Sequence, residues 1–105
     1  MAQISIHQKI SLPMDEIIAF CQHNHIRKLS LFGSILRDDF TENSDIDVLV
    51  EFEPDAIIGW KIVSMRAELA EILVQEVDFL TEGFLSPSFR KEVLEQAVVV
   101  YEQTR

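Results

Sequence analysis

The stretch that decides the fold of this 105-residue chain is residues 31–53, LFGSILRDDFTENSDIDVLVEFE. It starts with a short, partly apolar segment that Gly33 and Ser34 interrupt, and it ends in a run of alternating apolar and mostly acidic side chains. Successive side chains of a β-strand point to opposite faces, so residues 45–53 are predicted to be a strand with one face in the core. Residues 28–32 are predicted to be a second strand.

Helices and strands alternate along the rest of the chain. Helices are predicted at residues 13–25, 59–74 and 87–103, because apolar side chains recur there every three or four positions. A short helical turn is predicted at 35–38, and a further strand at 76–81. This order favours an α+β fold, with a small mixed sheet of about three to four strands flanked by helices.

Length and composition predict a single domain over residues 1–105, with 48% hydrophobic and 26% charged residues. We expect no membrane span and no signal peptide, because no apolar run is long enough and no basic segment precedes one. The only cysteine, Cys21, lies on an apolar helical stripe and cannot form an internal disulfide. These features predict a cytoplasmic protein. Trp60 and Tyr101 are expected in core or half-buried positions.

The chain is strongly acidic, with a formal net charge of -9. Nucleic acids are bound largely through neutralisation of their phosphates by Lys and Arg, so direct nucleic-acid binding is disfavoured. The charge has two interpretations that the composition leaves open. It provides solubility, or part of it holds a divalent metal and part of it meets a basic protein partner.

Two acidic residues of the predicted strand are candidate metal ligands. Asp45 and Asp47 are two positions apart, so they leave the same face with Cα atoms about 6.5 Å apart. Carboxylates this close repel each other, and they suit Mg²⁺, which proteins hold with one or two carboxylates together with substrate phosphates. The alternative is a solvated strand end on which both acids simply face water.

Gly33 and Ser34 form a candidate phosphate cradle. Glycine allows a tight turn and a close approach of phosphate, and the N–H groups that open the following helical turn can point at an anion. The alternative is an ordinary turn followed by a helix cap. A metal on one strand and a phosphate cradle on its neighbour is an arrangement that suits phosphoryl or nucleotidyl transfer.

Three further residues are candidates for the same site. Asp78, on the strand at 76–81, is predicted to complete a two-metal site or to act as general base on an acceptor hydroxyl; alternatively it is a surface acid. Arg37 is predicted to contact a phosphate, and the alternatives are an ion pair with Asp38 or Asp39 or a surface cation. Ser44 is a candidate to orient the acid beside it or to bind a sugar, with a plain turn role as the alternative.

The motif residues resemble a known family. Gly33 and Ser34, followed after ten residues by Asp45-Ile46-Asp47, resemble the signature of the DNA polymerase beta-like nucleotidyltransferase superfamily. Residues 32–40 and 44–53 are similar to the minimal nucleotidyltransferases of prokaryotes, and the resemblance extends over most of the chain. It implies the nucleotidyltransferase fold.

The resemblance also implies an activity and a partner. Members of this family are commonly encoded beside a helical RNase toxin of the HEPN class and serve as its antitoxin. Characterised members transfer AMP from ATP to a toxin tyrosine. Carried over, Gly33 and Ser34 would bind the triphosphate, and Asp45 and Asp47 would hold Mg²⁺. Asp78 would hold metal, in a two-metal site, and activate the acceptor hydroxyl. The expected assembly is a hetero-oligomer with the HEPN toxin.

Two other functions compete with this one. The chain is alternatively a non-catalytic antitoxin that neutralises its toxin by forming a complex; the intact acids favour the enzyme, because binding alone needs no carboxylates arrayed on one strand. Transfer to a small molecule such as an aminoglycoside is disfavoured, because enclosing such a substrate usually needs a second domain.

Overall fold

The computed structural model of the chain describes residues 3–7, 10–37, 40–41 and 43–103. The helices and strands follow one another in chain order as β1 (Gln3–His7), β2 (Ile10–Pro13), α1 (Met14–His23), β3 (Ile26–Phe32), β4 (Ile46–Phe52), α2 (Lys61–Leu73), β5 (Val77–Thr81), α3 (Pro87–Gln96) and β6 (Val98–Glu102). Two single turns of 3-10 helix, Gly33–Leu36 and Glu82–Phe84, follow β3 and β5.

Four strands form a mixed sheet in the order β5-β4-β3-β6. Strand β3 runs antiparallel to both β4 and β6, whereas β4 and β5 are parallel and are connected through α2. Strands β1 and β2 form a separate antiparallel pair. The predicted α+β fold with a small mixed sheet is therefore confirmed.

The main core lies between one face of this sheet and helices α1 and α2. The alternation predicted for the strand at 45–53 is confirmed on this face, where Ile46, Val48 and Val50 are all buried against apolar side chains of both helices. Cys21 of α1 is fully buried in the same core, as predicted. Burial of these side chains supplies the main driving force for closing the helices onto the sheet.

The opposite face of the sheet carries a smaller apolar cluster under α3. Phe32 and Leu49 pack there with Leu85 and with Val93 of α3. This second cluster explains why Leu49 stands among the acidic residues of β4, because its face of the sheet is covered by a helix at that point. Helix α3 is thereby placed beside the ends of β3 and β4.

The prediction of one helix over residues 87–103 is wrong for residues 97–103. Helix α3 ends at Gln96, and Ala97 has an extended backbone with φ -64° and ψ 142°. Residues Val98–Glu102 form β6, which pairs antiparallel with β3. The period-four apolar spacing continues across this boundary, but three successive valines favour a strand because their branched side chains fit a pleated sheet better than a helix.

The other predicted elements are confirmed with small shifts of their ends. The strand pair β1–β2 was not predicted. Tyr101 is half-buried, as predicted, whereas the prediction for Trp60 is wrong: its side chain is 89% exposed just before the first turn of α2. No helix in the described part of the chain is long and apolar enough to cross a membrane.

Candidate active site

The sheet brings the candidate acids together where strands β4 and β5 begin. Asp45 directly precedes β4, and Asp47 is the second residue of that strand. Strands β4 and β5 are in register, so that Asp47 lies opposite Asp78. On its other side Asp47 lies opposite Phe32, the last residue of β3, so the turn that follows Phe32 adjoins the acids. The topology thus places the predicted metal ligands beside the predicted phosphate cradle.

Gly33 occupies a position that only glycine fits. Its φ is +78°, a left-handed conformation that costs other residues about 1–2 kcal/mol. A Cβ atom at this position would lie 2.0 Å from Oδ2 of Asp47. The absence of a side chain therefore lets the Asp47 carboxylate approach the turn, where the backbone N–H of Ser34 donates a hydrogen bond to it.

Asp47 is the half-buried member of the acidic group. Its pKa is raised, first by burial and then by the neighbouring charges of Asp78 and Asp45. Arg37 and the Ser34 N–H act in the opposite direction and favour the charged carboxylate. The three acids are therefore close enough to influence one another, with one cation and one N–H group opposing their repulsion.

These carboxylates are hard oxygen donors of the kind that Mg²⁺ prefers. Among the described residues, no group of three or more His, Cys, Asp or Glu side chains is arranged so that it could hold a metal ion. Mg²⁺ is commonly held by only one or two carboxylates together with substrate phosphates, and the neighbouring carboxylates of Asp47, Asp45 and Asp78 are donors of that kind. The metal site predicted at Asp45, Asp47 and Asp78 stays a prediction.

A cavity of about 540 Å³ opens in front of Asp45 and Asp47. It is lined on the sheet side by Phe32, Gly33, Ser34, Arg37, Ser44, Asp45 and Asp47, and on the other side by Phe89, Glu92, Val93 and Gln96 of α3. Its volume lies within the roughly 300–1,000 Å³ usual for small-ligand sites. Asp78 adjoins the cavity through Asp47 and is not one of its lining residues. The sequence analysis missed the contribution of α3.

Arg37 lines the cavity, and its charge lowers the pKa of Asp47. Its contact with a phosphate stays a prediction. The alternative ion pairs with Asp38 and Asp39 fall outside the described residues. Ser44 also lines the cavity, but its hydroxyl accepts a hydrogen bond from the Thr41 N–H at 3.1 Å. The turn role of Ser44 is thus visible in the structure, and its role in nucleotide binding stays a prediction.

Gln75, which the sequence analysis also missed, holds the loop before Asp45. Its side-chain amide donates hydrogen bonds to the backbone carbonyls of Thr41, at 3.1 Å, and Ser44. Because Ser44 is the residue before Asp45, these bonds fix the backbone that carries the first acid. A second cavity of about 520 Å³ lies behind this loop, lined in part by Val74 and Gln75, and includes none of the three candidate acids.

Sequence relatives agree with this geometry. Residues 14–100 match the family of the nucleotidyltransferase domain. The chain is 37% identical over 86 residues to MJ0435 of Methanocaldococcus jannaschii, whose name assigns it to the protein adenylyltransferases, covering 81% of this chain and 90% of that protein. It is 32% identical over 77 residues to the protein adenylyltransferase MntA of Thermococcus cleftensis, covering 71% and 75% of the two chains.

The fold of this chain is also similar to those of solved structures. One, described as a minimal nucleotidyltransferase, has a TM-score of 0.68 at 28% identity, covering 80% of this chain and 85% of that one. A toxin–antitoxin crystal structure with AMP-PNP has a TM-score of 0.71 at 24% identity, covering 88% and 75%, and shows likeness of fold alone. From the family match over residues 14–100 and the identity to its relatives, the chain belongs to the nucleotidyltransferase domain family.

Proposed function

We propose that this chain is a protein adenylyltransferase that transfers AMP from ATP to a tyrosine hydroxyl of a HEPN-type RNase toxin and thereby acts as its antitoxin. One observation carries the proposal. A single cavity joins the glycine turn at Gly33 and Ser34 to the acids Asp45 and Asp47, with Asp78 directly opposite Asp47 on the next strand. Nucleotidyl transfer needs a phosphate cradle and a cation site side by side, and this is the pair of features that the cavity combines.

The cradle would bind the triphosphate. Gly33 and Ser34 line the cavity at the start of a helical turn. The Ser34 N–H is bonded to Asp47, so the other backbone N–H groups that open this turn would meet the triphosphate. Arg37 lines the same cavity, and its guanidinium group matches phosphate geometry through paired charge-assisted hydrogen bonds. Ser44, which lines the same cavity, would add a polar contact to the nucleotide.

The acids would hold Mg²⁺, in one or two sites, through Asp45, Asp47 and Asp78. Bound Mg²⁺ would supply neutralisation of charge on the triphosphate and on the departing pyrophosphate. Burial and the charges of Asp78 and Asp45 make the ionised form of Asp47 unfavourable on its own, so this carboxylate gains from a neighbouring cation.

The reaction would be an in-line displacement. The acceptor hydroxyl oxygen attacks the α-phosphorus, the bond from that phosphorus to the β-phosphate oxygen breaks, and pyrophosphate leaves. The hydroxyl proton passes to Asp78, which lies exposed on β5, an edge strand of the sheet, and is open to an incoming protein. A tyrosine hydroxyl has an ordinary pKa of about 10, so it needs such a base near neutral pH.

The named relatives support the choice of donor, acceptor and partner. The Thermococcus cleftensis relative is named a protein adenylyltransferase, and one structure of the same fold contains AMP-PNP. Another is a tri-AMPylated HEPN toxin of Shewanella oneidensis in complex with its MNT antitoxin. A partner that covers the cavity would also exclude water and orient the acceptor.

The test is a transfer assay with ATP labelled at either the α- or the γ-phosphate, Mg²⁺ and the HEPN-type toxin. We expect label on a toxin tyrosine from α-labelled ATP only, and none with Asp45→Asn/Asp47→Asn. Asp55→Asn, an exposed acid outside the cavity, is the matched control and should retain transfer. Label from the γ-phosphate would contradict the proposal. A stable complex with no label from either position would favour the non-catalytic antitoxin.

A further inference from the structure

We propose that Phe89 of α3 is the platform on which the nucleobase of the bound nucleotide stacks. This inference rests on the proposed function of the same cavity and adds a residue that determines nucleotide affinity. Phe89 lies in the first turn of α3 and lines the cavity opposite the phosphate cradle. Its side chain is 47% exposed, which is a large apolar surface for a polar cavity to leave open to water.

The helix holds this ring in place by two features. Ser86 is the N-cap of α3, and its hydroxyl oxygen accepts a hydrogen bond of 3.4 Å from the Phe89 N–H. Val93, one helical turn further on, is buried against Phe32 and Leu49 of the sheet. Side chains four positions apart share a helix face, so anchoring Val93 on the sheet turns Phe89 towards the cavity.

The chemistry of the walls favours a base at this position. The sheet side provides backbone N–H groups, Arg37 and carboxylates, which suit phosphates and cations. Of the two phenylalanines that line the cavity, Phe32 is 6% exposed and packed into the sheet, whereas Phe89 presents an open ring. Stacking a base on an aromatic side chain buries apolar surface on both partners and strengthens binding by about tenfold or more per base.

Stacking also predicts the kind of selectivity. Every nucleobase has an aromatic face, so a phenylalanine platform adds affinity without distinguishing adenine from guanine. Phe89 should therefore contribute similarly to ATP and GTP binding. The acceptor tyrosine of the partner protein is a second aromatic ring available to the nucleobase. Nucleotide binding measured without the partner therefore reports the contribution of Phe89 alone.

The experiment is isothermal titration of the purified chain in Mg²⁺ with ATP, GTP and inorganic tripolyphosphate. Phe89→Ala should weaken ATP and GTP binding about tenfold or more, by the magnitude of base stacking, and leave tripolyphosphate binding within about twofold. Phe89→Trp should retain ATP binding. Leu94→Ala is the matched control, because Leu94 is 44% exposed on the same helix and does not line this cavity; it should leave the affinity for all three ligands unchanged.

The inference is overturned if Phe89→Ala leaves the ATP affinity unchanged or weakens ATP and tripolyphosphate equally. It is also overturned if nucleotide binding is unchanged while the KM for the toxin rises, since the ring would then contact the acceptor. A chain that binds ATP through Phe89 but transfers no AMP to the toxin would support this inference and contradict the proposed function.

Discussion

Asp47 on β4 and Asp78 on β5 lie directly opposite each other on parallel strands. Like charges on directly neighbouring strand positions destabilise a sheet, typically by about 0.2–1 kcal/mol. Burial, Asp78 and Asp45 together raise the pKa of Asp47, so the repulsion acts on a carboxylate that is already partly removed from water. The juxtaposition of these two carboxylates thus costs stability.

Removal of one of these charges should stabilise the fold and inactivate the enzyme. We predict that Asp78→Asn raises the free energy of unfolding by about 0.5 kcal/mol in Mg²⁺-free buffer, because it removes the repulsion on Asp47. AMP transfer should be lost. Urea denaturation and the transfer assay measure the two effects, and Asp55→Asn should change neither.

The same variant tests the metal site. A ligand that binds only the folded state stabilises it according to its concentration and affinity. Mg²⁺ should therefore raise the melting temperature of the wild-type chain and of Asp55→Asn, but much less that of Asp78→Asn. Equal stabilisation of all three proteins would place the Mg²⁺ site elsewhere.

The contact between Gly33 and Asp47 predicts a severe effect of a single methyl group. Gly33→Ala should lower the free energy of unfolding by about 1–3 kcal/mol, because it combines left-handed strain with a collision against the carboxylate. Transfer should fall at least about 100-fold, since displacing a reactive group by roughly 1 Å has that effect.

Gly59→Ala is the matched control for that substitution. Gly59 also has a positive φ, +52°, but a Cβ there would meet nothing within 4 Å. It should show only the conformational cost, about 1 kcal/mol, with transfer retained. Similar losses of activity in the two variants would mean that strain in the backbone, and not contact with Asp47, explains the requirement for glycine at position 33.

Val74 offers the opposite kind of substitution. It ends α2 in a left-handed conformation with φ 58°, which is strained for a β-branched residue, and its side chain is 87% exposed. Val74→Gly should therefore raise the free energy of unfolding by about 0.5–1 kcal/mol, the relief of strain less the entropy cost of glycine. Val63→Gly, within the same helix, should lower it. Chemical denaturation measures both free energies of unfolding, and a decrease for both variants would contradict the prediction that Val74 is strained.

Cys21 predicts a loss of stability in alkali. Burial raises the pKa of this thiol from 9.0 to about 12, so the folded state favours the neutral form. The contribution of the neutral thiol to the free energy of unfolding is fully present below pH 9 and is lost as the pH rises towards 12. Over that range the free energy of unfolding falls by up to about 1.4 kcal/mol per pH unit. Denaturation of the wild type and Cys21→Ala between pH 8 and roughly 10.5 should give a steeper decline for the wild type. Parallel curves would show that the pKa of the thiol does not change on unfolding.

The central part of the fold could be predicted because its signals are local. Strand β4 alternates cleanly, the turn after β3 carries its glycine, and helix α1 begins with acidic residues that complement its N-terminus. The cavity brings together Gly33, Ser34, Arg37, Ser44, Asp45 and Asp47, all of which lie within one short stretch of sequence. Proximity in the chain made that part of the site visible.

What could not be predicted depends on contacts between distant segments. Nothing near Gln75 in the sequence indicates that its amide would bond to the backbone of Thr41 and Ser44. Likewise, Phe89 has the spacing of a core residue, and only the packing of α3 across the sheet reveals it as a wall of the cavity. Local spacing predicts a helix over residues 98–102, but pairing with β3 decides their conformation and makes them the strand β6.

The position of β6 beside β3 has a consequence for biosynthesis. These two strands are neighbours in the sheet but lie far apart along the chain, with β4, α2, β5 and α3 between them. While the chain emerges from the ribosome, one edge of β3 stays unpaired until the residues of β6 have also emerged, and an open strand edge invites aggregation. The α3 wall of the 540 Å³ cavity is likewise translated late, so a nascent chain would carry its acids and its glycine turn before that cavity could form.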